Sequence, residues 1–285
     1  MSKNYRSELV GAFGCPIDEN PTGVMEEAAF KAAGLDYRYL TIKVAQEDIE
    51  TAMKAVRALN MRGINLTIPH KVSAIPYVDE LSPEAQIIGA INIVVNNDGT
   101  LWGDNTDGKG FLKSLTDRGV SVEGKNIVIL GAGGAARAIS VVCALQGATH
   151  IDIVNGSAAR GSELVRLLQE KTPAQARFIS WEGPVDIDAH TDILINATSV
   201  GLYPNVDQKP NINYDTVCAG MVVCDVIFND PNSLFLQEAE KRGAATINGL
   251  GMLANQGALN FKLWTGQDAP VDVMMDTLRR EFGLD

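Results

Sequence analysis

The feature that most constrains the fold is a glycine-rich turn within "NIVILGAGGAARAISVVCALQGATHIDIVN", residues 126–155. Gly131, Gly133 and Ala136 fit the spacing G-x-G-x-x-G/A, with an apolar strand pattern before the turn, a helix pattern after it and a second strand beyond. Gly131 permits the tight turn, Gly133 lets backbone N–H groups approach a pyrophosphate, and Ala136 allows close helix packing. The pattern predicts a Rossmann-like nucleotide-binding lobe. A tight turn without a ligand is the weaker alternative.

Strand and helix patterns also alternate through the rest of the chain. In the first hundred residues "ELVGAFG", "YRYLTIKV", "INLTI" and "INIVV" are typical of strands separated by helices, and "NNDG" is typical of a turn. This alternation predicts an α/β protein with two lobes, a mainly parallel N-terminal α/β lobe followed by the Rossmann-like lobe. "DGKGFLKSLTDRGVS" at residues 107–121 is predicted to be a helix that connects them.

Size and charge narrow the class of protein. A chain of 285 residues favours two lobes, and 24 Lys and Arg against 35 Asp and Glu give a net charge of −11, which argues against nucleic acid as a partner. The four cysteines lack C-x-x-C spacing, so we expect no metal site and interpret them as small buried residues in a reducing cytosol. Since no apolar run reaches the roughly 18 residues of a membrane helix, we expect a cytoplasmic protein without a membrane partner.

Three polar residues in the first lobe are candidates for chemistry. "GINLTIPHKV" at residues 63–72 places Lys71 just beyond a predicted strand, "IGAIN" contains Asn92, and "GDNTDGKGF" contains Asp107. Taken alone, Lys71 fits a solvated loop lysine and Asp107 fits an ordinary turn. The spacing does not establish that the three side chains meet.

Cofactor preference is expected to depend on the end of the second Rossmann strand, "VNGSAAR". Asn155 stands where an acid would bind a ribose hydroxyl, Ser157 follows, and Arg160 is the first cation. Arg160 fits a ribose-phosphate ligand and a solvated helix face about equally well. The cofactor is therefore predicted as NAD or NADP, with the preference undecided.

Six motifs together resemble one family. "GINLTIPHK", "IGAIN", "GDNTDGKGF", "ILGAGGAARA", "INATSVGL" and "GLGMLANQGALNF" occur in the order and approximate spacing of the shikimate dehydrogenase family, including its quinate/shikimate branch. The resemblance implies a substrate-binding and catalytic domain at residues 1–106 and 250–285 and an NAD(P)-binding domain at residues 107–249. It also implies an NAD(P)-dependent dehydrogenase that reversibly transfers hydride between nicotinamide and a ring hydroxyl of shikimate, forming 3-dehydroshikimate, or of quinate.

The resemblance also implies the roles of individual residues. Lys71 would handle the proton and Asp107 would position it. Substrate contacts would come from Asn20, Thr22, Thr67, Asn92 and Gln256. Cofactor contacts would come from Gly131, Ala132, Gly133, Gly134, Ala135, Asn155, Ser157, Arg160, Thr198, Gly249 and Met252. The implied partner is a small cyclic hydroxy carboxylate, bound by a monomer or homodimer.

The segment "GCPIDENPTG" at residues 14–23 departs from the family pattern. The two serines that hold the substrate carboxylate in the family are replaced by Asn20 and Thr22, and its histidine is replaced by Glu19. Thr22 is also expected to be the N-cap of a helix beginning near Gly23. The replacements make quinate or another related ring acid a candidate substrate.

A second departure affects the cofactor, because Gly156 replaces the family's arginine after Asn155. The usual NADP contact is weakened, which leaves Arg160 as the remaining candidate. Two further functions stay open: a related cyclic hydroxy-acid dehydrogenase of unknown substrate, or a non-catalytic nucleotide-binding regulator on the same fold.

Overall fold

The computed structural model describes residues 5–284, which divide into two compact units. The first unit contains the described residues up to Thr106 and those from Ala254 onward. The second unit is Asp107–Leu253. This division differs from the predicted domain boundaries only in residues 250–253.

The first unit is built on a six-stranded sheet. Its strands are β1 (Glu8–Gly14), β2 (Tyr37–Lys43), β3 (Gly63–Leu66), β4 (Glu80–Leu81), β5 (Ile93–Asn97) and β6 (Thr100–Asp104). Its helices before residue 107 are α1 (Thr22–Ala32), α2 (Ile49–Ala58), α3 (His70–Ser73) and α4 (Pro83–Ile88). The strand order is β2-β1-β3-β5-β6-β4, and β1 pairs in parallel with both β2 and β3.

The sheet of the first unit is mixed but mainly parallel. The β4–β6 pair is also parallel, whereas β3–β5 and β5–β6 are antiparallel. The β5–β6 hairpin turns at Asp98 and Gly99, with φ of 49° and 98°. Positive φ at both central residues suits the twist of a short hairpin, so the predicted "NNDG" turn is confirmed.

The core of the first unit includes apolar residues at helical spacing in α2, and the predicted strand "INLTI" is shorter than expected. Ile49, Met53 and Val56 are all buried. Strand β3 ends at Leu66, and Ile68, the last residue of the predicted strand, is 71% exposed. The predicted strand is therefore two residues too long at its end.

The second unit contains a six-stranded parallel sheet. Its strands are β7 (Asn126–Leu130), β8 (His150–Asn155), β9 (Gln175–Ser180), β11 (Ile193–Asn196), β13 (Val222–Asp225) and β14 (Ala245–Ile247), while β10 (Val185–Asp186) and β12 (Ile212–Asn213) form a separate pair. Its helices are α5 (Asp107–Thr116), α6 (Gly134–Leu145), α7 (Ala158–Lys171) and α8 (Leu234–Glu240). The order β14-β13-β11-β7-β8-β9 is the 3-2-1-4-5-6 arrangement of dinucleotide-binding folds. The predicted Rossmann-like lobe is confirmed.

Helix α5, the predicted connecting helix, packs closely on α6 within the second unit. A Cβ at Gly108 would lie only 2.4 Å from the backbone oxygen of Ala138. The glycine therefore permits close approach of the two helix backbones. Cys143 and Cys224 are buried as expected, whereas Cys15 is half-buried and Cys218 is exposed.

The chain ends in α9 (Leu250–Thr265) and α10 (Val271–Glu281). The part of α9 beyond Leu253 packs in the first unit, where Trp264 Nε1 donates to Val94 O at 3.2 Å and Phe261 stacks on Phe30. Among residues 5–284, no helix is both long and apolar enough to cross a bilayer.

Candidate active site

The loops after β1 and β3 lie side by side in the first unit, because parallel strands end at the same edge of a sheet. Thr67 N donates to Phe13 O at 3.0 Å, and Cys15 N donates to Ile68 O at 2.9 Å. His70 N then donates to Thr67 O at 2.7 Å, and α3 begins there. Lys71 therefore lies in the first turn of a short helix directly beyond the sheet.

Lys71 is held by its backbone beside the segment that contains Asn92. Its carbonyl oxygen accepts from Ile91 N at 2.8 Å, and the Lys71 side chain is half-buried. The preceding His70 is fully buried, with Nε2 2.9 Å from Val44 O. Because His70 is anchored in the interior, the orientation of α3 and the position of Lys71 are restricted.

Asn92 and Gln256 meet within a buried polar cluster. Asn92 Nδ2 lies 2.9 Å from Thr106 Oγ1 and 3.5 Å from Gln256 Oε1, and Asn92 Oδ1 accepts from Thr106 N at 2.7 Å. Asn260 Nδ2 also donates to Gln256 Oε1 at 3.0 Å. Thr106 and Asn260 were not predicted, although Asn260 could have been found from its i, i+4 spacing with Gln256 on a helix.

Asn20 and Thr22 occupy the start of α1. The helix begins at Thr22 with Pro21 at the N-cap position, so the prediction of Thr22 as N-cap is wrong. Asn20 Oδ1 instead accepts from Thr22 N at 2.9 Å, which satisfies an amide that the helix leaves unpaired. Thr22 is 6% exposed, whereas Glu19 is exposed.

Three further polar residues of the first unit, Tyr39, Asn65 and Glu26, were not predicted as part of the site. Tyr39 Oη donates to Asn65 Oδ1 at 3.0 Å, and Asn65 Nδ2 donates to Asn92 O at 3.2 Å. Glu26 is fully buried, and its burial raises the pKa of the carboxyl well above its usual value. The pKa of Tyr39 is raised as well, first by burial and then by the charge of Glu26.

In the second unit, the glycine-rich turn presents open backbone at the start of α6. Gly131 has φ of +110°, and its N–H donates to Val154 O at 2.8 Å. Gly133 and Gly134 are exposed, and a Cβ at either would meet nothing within 4 Å. Gly133 is the N-cap residue and has no side chain to cap the first N–H groups of α6, so these groups are available to a pyrophosphate. The flanking residues Ala132 and Ala135 are half-buried.

Thr198 and Gly249 line the same end of this sheet. Thr198 Oγ1 donates to Asn196 Oδ1 at 2.7 Å, and its Cγ2 would lie 3.1 Å from a Cβ at Gly131. Gly249 N donates to Ile227 O at 3.2 Å, and a Cβ there would approach that oxygen to 2.4 Å. Met252 is half-buried in the first turn of α9.

A buried carboxyl fixes the loops at the carboxyl ends of β11 and β13. Asp225 accepts from Asn196 Nδ2 at 3.0 Å, from Ser233 Oγ at 2.6 Å and from Ile227 N at 3.1 Å. Burial is the main cause that raises the pKa of Asp225 to about 6, and these hydrogen bonds oppose it. The sequence did not predict that the Asp225 carboxyl would accept hydrogen bonds from several loops.

The segment after β8 is ordered by its own side chains. Asn155 Nδ2 donates to Ser157 O at 3.0 Å, and Ser157 Oγ accepts from Arg160 N at 3.5 Å as the N-cap of α7. The side chain of Arg160 is exposed. Both interpretations of Arg160 therefore stay open.

The structure places the two predicted catalytic residues in different units. Asp107 is the first residue of α5 in the second unit and is 8% exposed, whereas Lys71 belongs to the first. Their joint role in proton transfer stays a prediction.

The fold and the glycine turn together define a dinucleotide-binding α/β protein with a second α/β unit that carries a lysine and several buried amides. Comparison with protein-family models is consistent with this class. The model of the shikimate dehydrogenase substrate binding domain matches residues 12–94, and that of the shikimate 5'-dehydrogenase C-terminal domain matches residues 249–279.

Individual relatives match over nearly the whole chain. A shikimate dehydrogenase (NADP(+)) of Desulforamulus reducens is 40% identical, with 98% of this chain and 97% of the relative covered. The ligand-free crystal structure of 5-ketofructose reductase from Gluconobacter sp. strain CHM43 is 43% identical with a TM-score of 0.93, covering 98% of this chain and 100% of that one. Shikimate 5-dehydrogenase from Listeria monocytogenes, solved with shikimate and NAD, is 34% identical with a TM-score of 0.90, covering 97% and 98%.

The chain belongs to the shikimate dehydrogenase family. The predicted family and fold class are therefore confirmed, and so is the predicted enzyme class, an NAD(P)-dependent oxidoreductase that acts on a CH–OH group.

Proposed function

We propose that the protein interconverts a ring hydroxyl and a ketone on a small polyhydroxylated substrate, with NAD or NADP as the hydride carrier. The observation that carries this proposal is the placement of Thr67, Lys71 and Asn92 around the end of β3, with Gln256 bonded to Asn92. These side chains offer a cation and several amide and hydroxyl groups, which suit a substrate with many oxygen atoms.

The first candidate substrates are shikimate and 3-dehydroshikimate, followed by quinate. The name of the Desulforamulus reducens relative and the shikimate in the Listeria monocytogenes structure support them. A second candidate is a ketose such as 5-ketofructose, because the Gluconobacter reductase is 43% identical along its full length. Asn20 and Thr22, which replace the two family serines, fit this second candidate as well as the first.

In the proposed reduction, the Lys71 ammonium donates a hydrogen bond and then a proton to the substrate oxygen as negative charge develops there. In the oxidation, the neutral amine accepts the hydroxyl proton. Asp107 is proposed to orient this amine. Thr67, Asn92 and Gln256 are proposed to hold neighbouring substrate oxygens and so fix the reacting carbon.

The residues around the glycine-rich turn fit a dinucleotide. The open backbone of Gly133 and Gly134 at the start of α6 is suited to a pyrophosphate, and Ala132 and Ala135 leave it accessible. Gly131, Thr198, Gly249 and Met252 are proposed to line the remainder of the cofactor site, with Asn155, Ser157 and Arg160 at the adenosine ribose. The bound nicotinamide would supply or accept the hydride.

The proposal is tested by a grid of substrates and cofactors. Purified protein is assayed with 3-dehydroshikimate, 3-dehydroquinate and 5-ketofructose, each with NADH and NADPH, by the absorbance of the reduced nicotinamide. We expect substrate-dependent oxidation in at least one combination. Failure across the grid, together with tight nucleotide binding, would favour the non-catalytic regulator instead.

The role of Lys71 is tested in the same assay. We expect Lys71→Ala to lower kcat by about 10²–10⁴-fold, as for loss of a general acid–base group, while substrate binding is largely retained. Lys54→Ala is the matched control, because Lys54 is an exposed lysine of the same unit. A Lys71→Ala enzyme with normal substrate binding and near-normal turnover would refute the assignment.

We propose a cytoplasmic enzyme that acts as a monomer or homodimer.

A further inference from the structure

Asn260 is a buried amide on α9 to which the proposed reaction assigns no role. Its side chain is 0% exposed, and both of its ends are hydrogen-bonded. Asn260 Oδ1 accepts from Thr106 Oγ1 at 2.8 Å, and Asn260 Nδ2 donates to Gln256 Oε1 at 3.0 Å. A buried amide is costly unless it is paired, so these two bonds are the reason that a polar side chain is tolerated there.

The hydrogen bonds around Asn260 run in one direction. Asn92 Nδ2 donates to Thr106 Oγ1 at 2.9 Å. The Thr106 hydroxyl has one hydrogen, and its nearer acceptor is Asn260 Oδ1 at 2.8 Å, compared with 3.2 Å to Asn92 Oδ1. Asn260 Nδ2 then donates to Gln256 Oε1. Because the bonds of such a chain polarise one another, the Gln256 amide is held more firmly than by one isolated bond.

These bonds determine which end of the Gln256 side chain is turned toward the cluster. Gln256 Oε1 lies 3.0 Å from Asn260 Nδ2 and 3.5 Å from Asn92 Nδ2, and both nitrogens can only donate. A reversed Gln256 amide would bring its NH2 group against two other NH2 groups, donor against donor. The Gln256 carbonyl therefore faces the cluster, and its NH2 group is directed away from Asn260.

From this arrangement we infer that Asn260 is a positioning residue for substrate recognition, which holds Gln256 so that the Gln256 NH2 group donates to a substrate oxygen. The inference rests on the proposed function, in which Gln256 holds such an oxygen, and it names the chemistry of that contact. The substrate group at Gln256 is an acceptor, which a ring hydroxyl, a ketone or a carboxylate can supply. Asn260 is fully buried, so it acts through Gln256 and does not touch the substrate.

The orientation of Gln256 matters because a glutamine amide can otherwise turn over. The last side-chain torsion of glutamine is broad and roughly two-fold, so the carbonyl and the NH2 group can exchange places. Without Asn260, the orientation that turns the carbonyl toward the substrate becomes accessible, and an acceptor then faces an acceptor. Ordering the side chain on binding lowers the affinity for the substrate and leaves the chemical step largely unchanged.

The test compares KM and kcat of wild type and Asn260→Leu at saturating cofactor, with 3-dehydroshikimate and with 5-ketofructose. Leucine has the same branched shape as asparagine but no polar atoms. We expect KM to rise about three- to tenfold with little change in kcat, as for loss of one well-oriented hydrogen bond.

Asn96→Leu is the matched control, because Asn96 is a buried asparagine of the same unit that also makes two hydrogen bonds. Asn96 Nδ2 donates to Met61 O at 2.8 Å, and Asn96 Oδ1 accepts from Gly99 N at 2.7 Å. The control should lose stability and keep the wild-type KM. Asn260→Ala, which removes the same two bonds without adding volume, provides a second variant if Asn260→Leu does not fold.

A double-mutant cycle separates positioning from a general loss of structure. Gln256→Ala removes the amide that Asn260 orients, and it should itself raise KM at least as much as Asn260→Leu does. When Asn260→Leu is added to Gln256→Ala, we expect KM to rise less than about twofold further, because no amide is left to orient. A merely structural role of Asn260 would raise KM by the same factor in both backgrounds.

The outcomes separate the two proposals. A wild-type KM in the folded Asn260 variants, or an equal effect of Asn260→Leu with and without Gln256, would overturn the inference while leaving the reductase function intact. Lack of turnover of every candidate ketone by wild type would overturn the proposed function and this inference with it.

Discussion

Replacement of Asp225 by asparagine is expected to change how stability depends on pH. The carboxyl is 2% exposed, and its pKa rises from 3.8 to about 6, chiefly because of burial. The folded state therefore binds this proton more tightly than the unfolded state. The free energy of unfolding falls as the pH rises through the interval between the two pKa values, and the loss is complete above the folded pKa.

The size of this effect follows from the shift. A difference of roughly two pKa units at about 1.4 kcal/mol each corresponds to about 3 kcal/mol of lost stability at neutral pH. The asparagine introduced by Asp225→Asn does not titrate, and its amide oxygen can still accept from Asn196 and Ile227. Ser233 Oγ, which donates in the wild type, can accept from the new NH2 group.

The assay is urea unfolding of wild type and Asp225→Asn at about pH 4 and about pH 8, followed by circular dichroism and tryptophan fluorescence. We expect the stability of the variant relative to wild type to rise by about 2 kcal/mol between these pH values, because pH 4 already lies within the titration interval. Asp215→Asn is the control, because Asp215 is 88% exposed in the same unit. Parallel pH profiles for wild type and Asp225→Asn would show that Asp225 does not titrate between the two pH values in the folded protein.

Three further substitutions test separate parts of the account. Gly131→Ala should destabilise the fold by about 1–3 kcal/mol and raise KM for the cofactor, because φ at this residue is +110° and the new Cβ would lie 3.0 Å from a backbone oxygen. An unchanged melting temperature and an unchanged KM would contradict this prediction. Arg160→Ala should raise KM for NADP about tenfold while KM for NAD stays constant. A KM for NADP equal to that of wild type would identify Arg160 as a solvated side chain. Gly63→Ala should cost about 3 kcal/mol or more in urea unfolding, because its Cβ would lie 2.3 Å from Trp264 Nε1, and wild-type stability would show that the site can relax.

Local patterns were sufficient to predict many elements of the fold. The short apolar run in "ELVGAFG" matches β1, "NNDG" forms the hairpin turn, and the glycine spacing lies between β7 and α6. In each case the physical cause lies within a few residues, in a short apolar run, positive φ or the absence of a side chain. The edge strand β9, by contrast, has a mixed pattern in "QARFIS" and was not predicted.

The polar cluster could be predicted only in part. Motifs identified Lys71, Asn92 and Gln256, but Asn65 lies within an apolar run and gave no functional signal. The adjacent acids Glu26 and Glu27 in α1 are typical of a solvated helix face. Glu26 is nevertheless buried, because other elements pack over it. Burial of this kind depends on tertiary packing, which local periodicity does not contain.

Deuterium transfer from the cofactor shows whether the protein reduces a ketone by hydride transfer with Lys71 as the proton donor. The protein is incubated with each candidate ketone and NADPH or NADH carrying deuterium at both positions of the hydride-donating carbon, and the product is examined by mass spectrometry and NMR. We expect a single deuterium on the reduced carbonyl carbon, with transfer greatly slowed in Lys71→Ala. Cofactor oxidation without deuterium in the product, or equally fast transfer in Lys71→Ala, would contradict it.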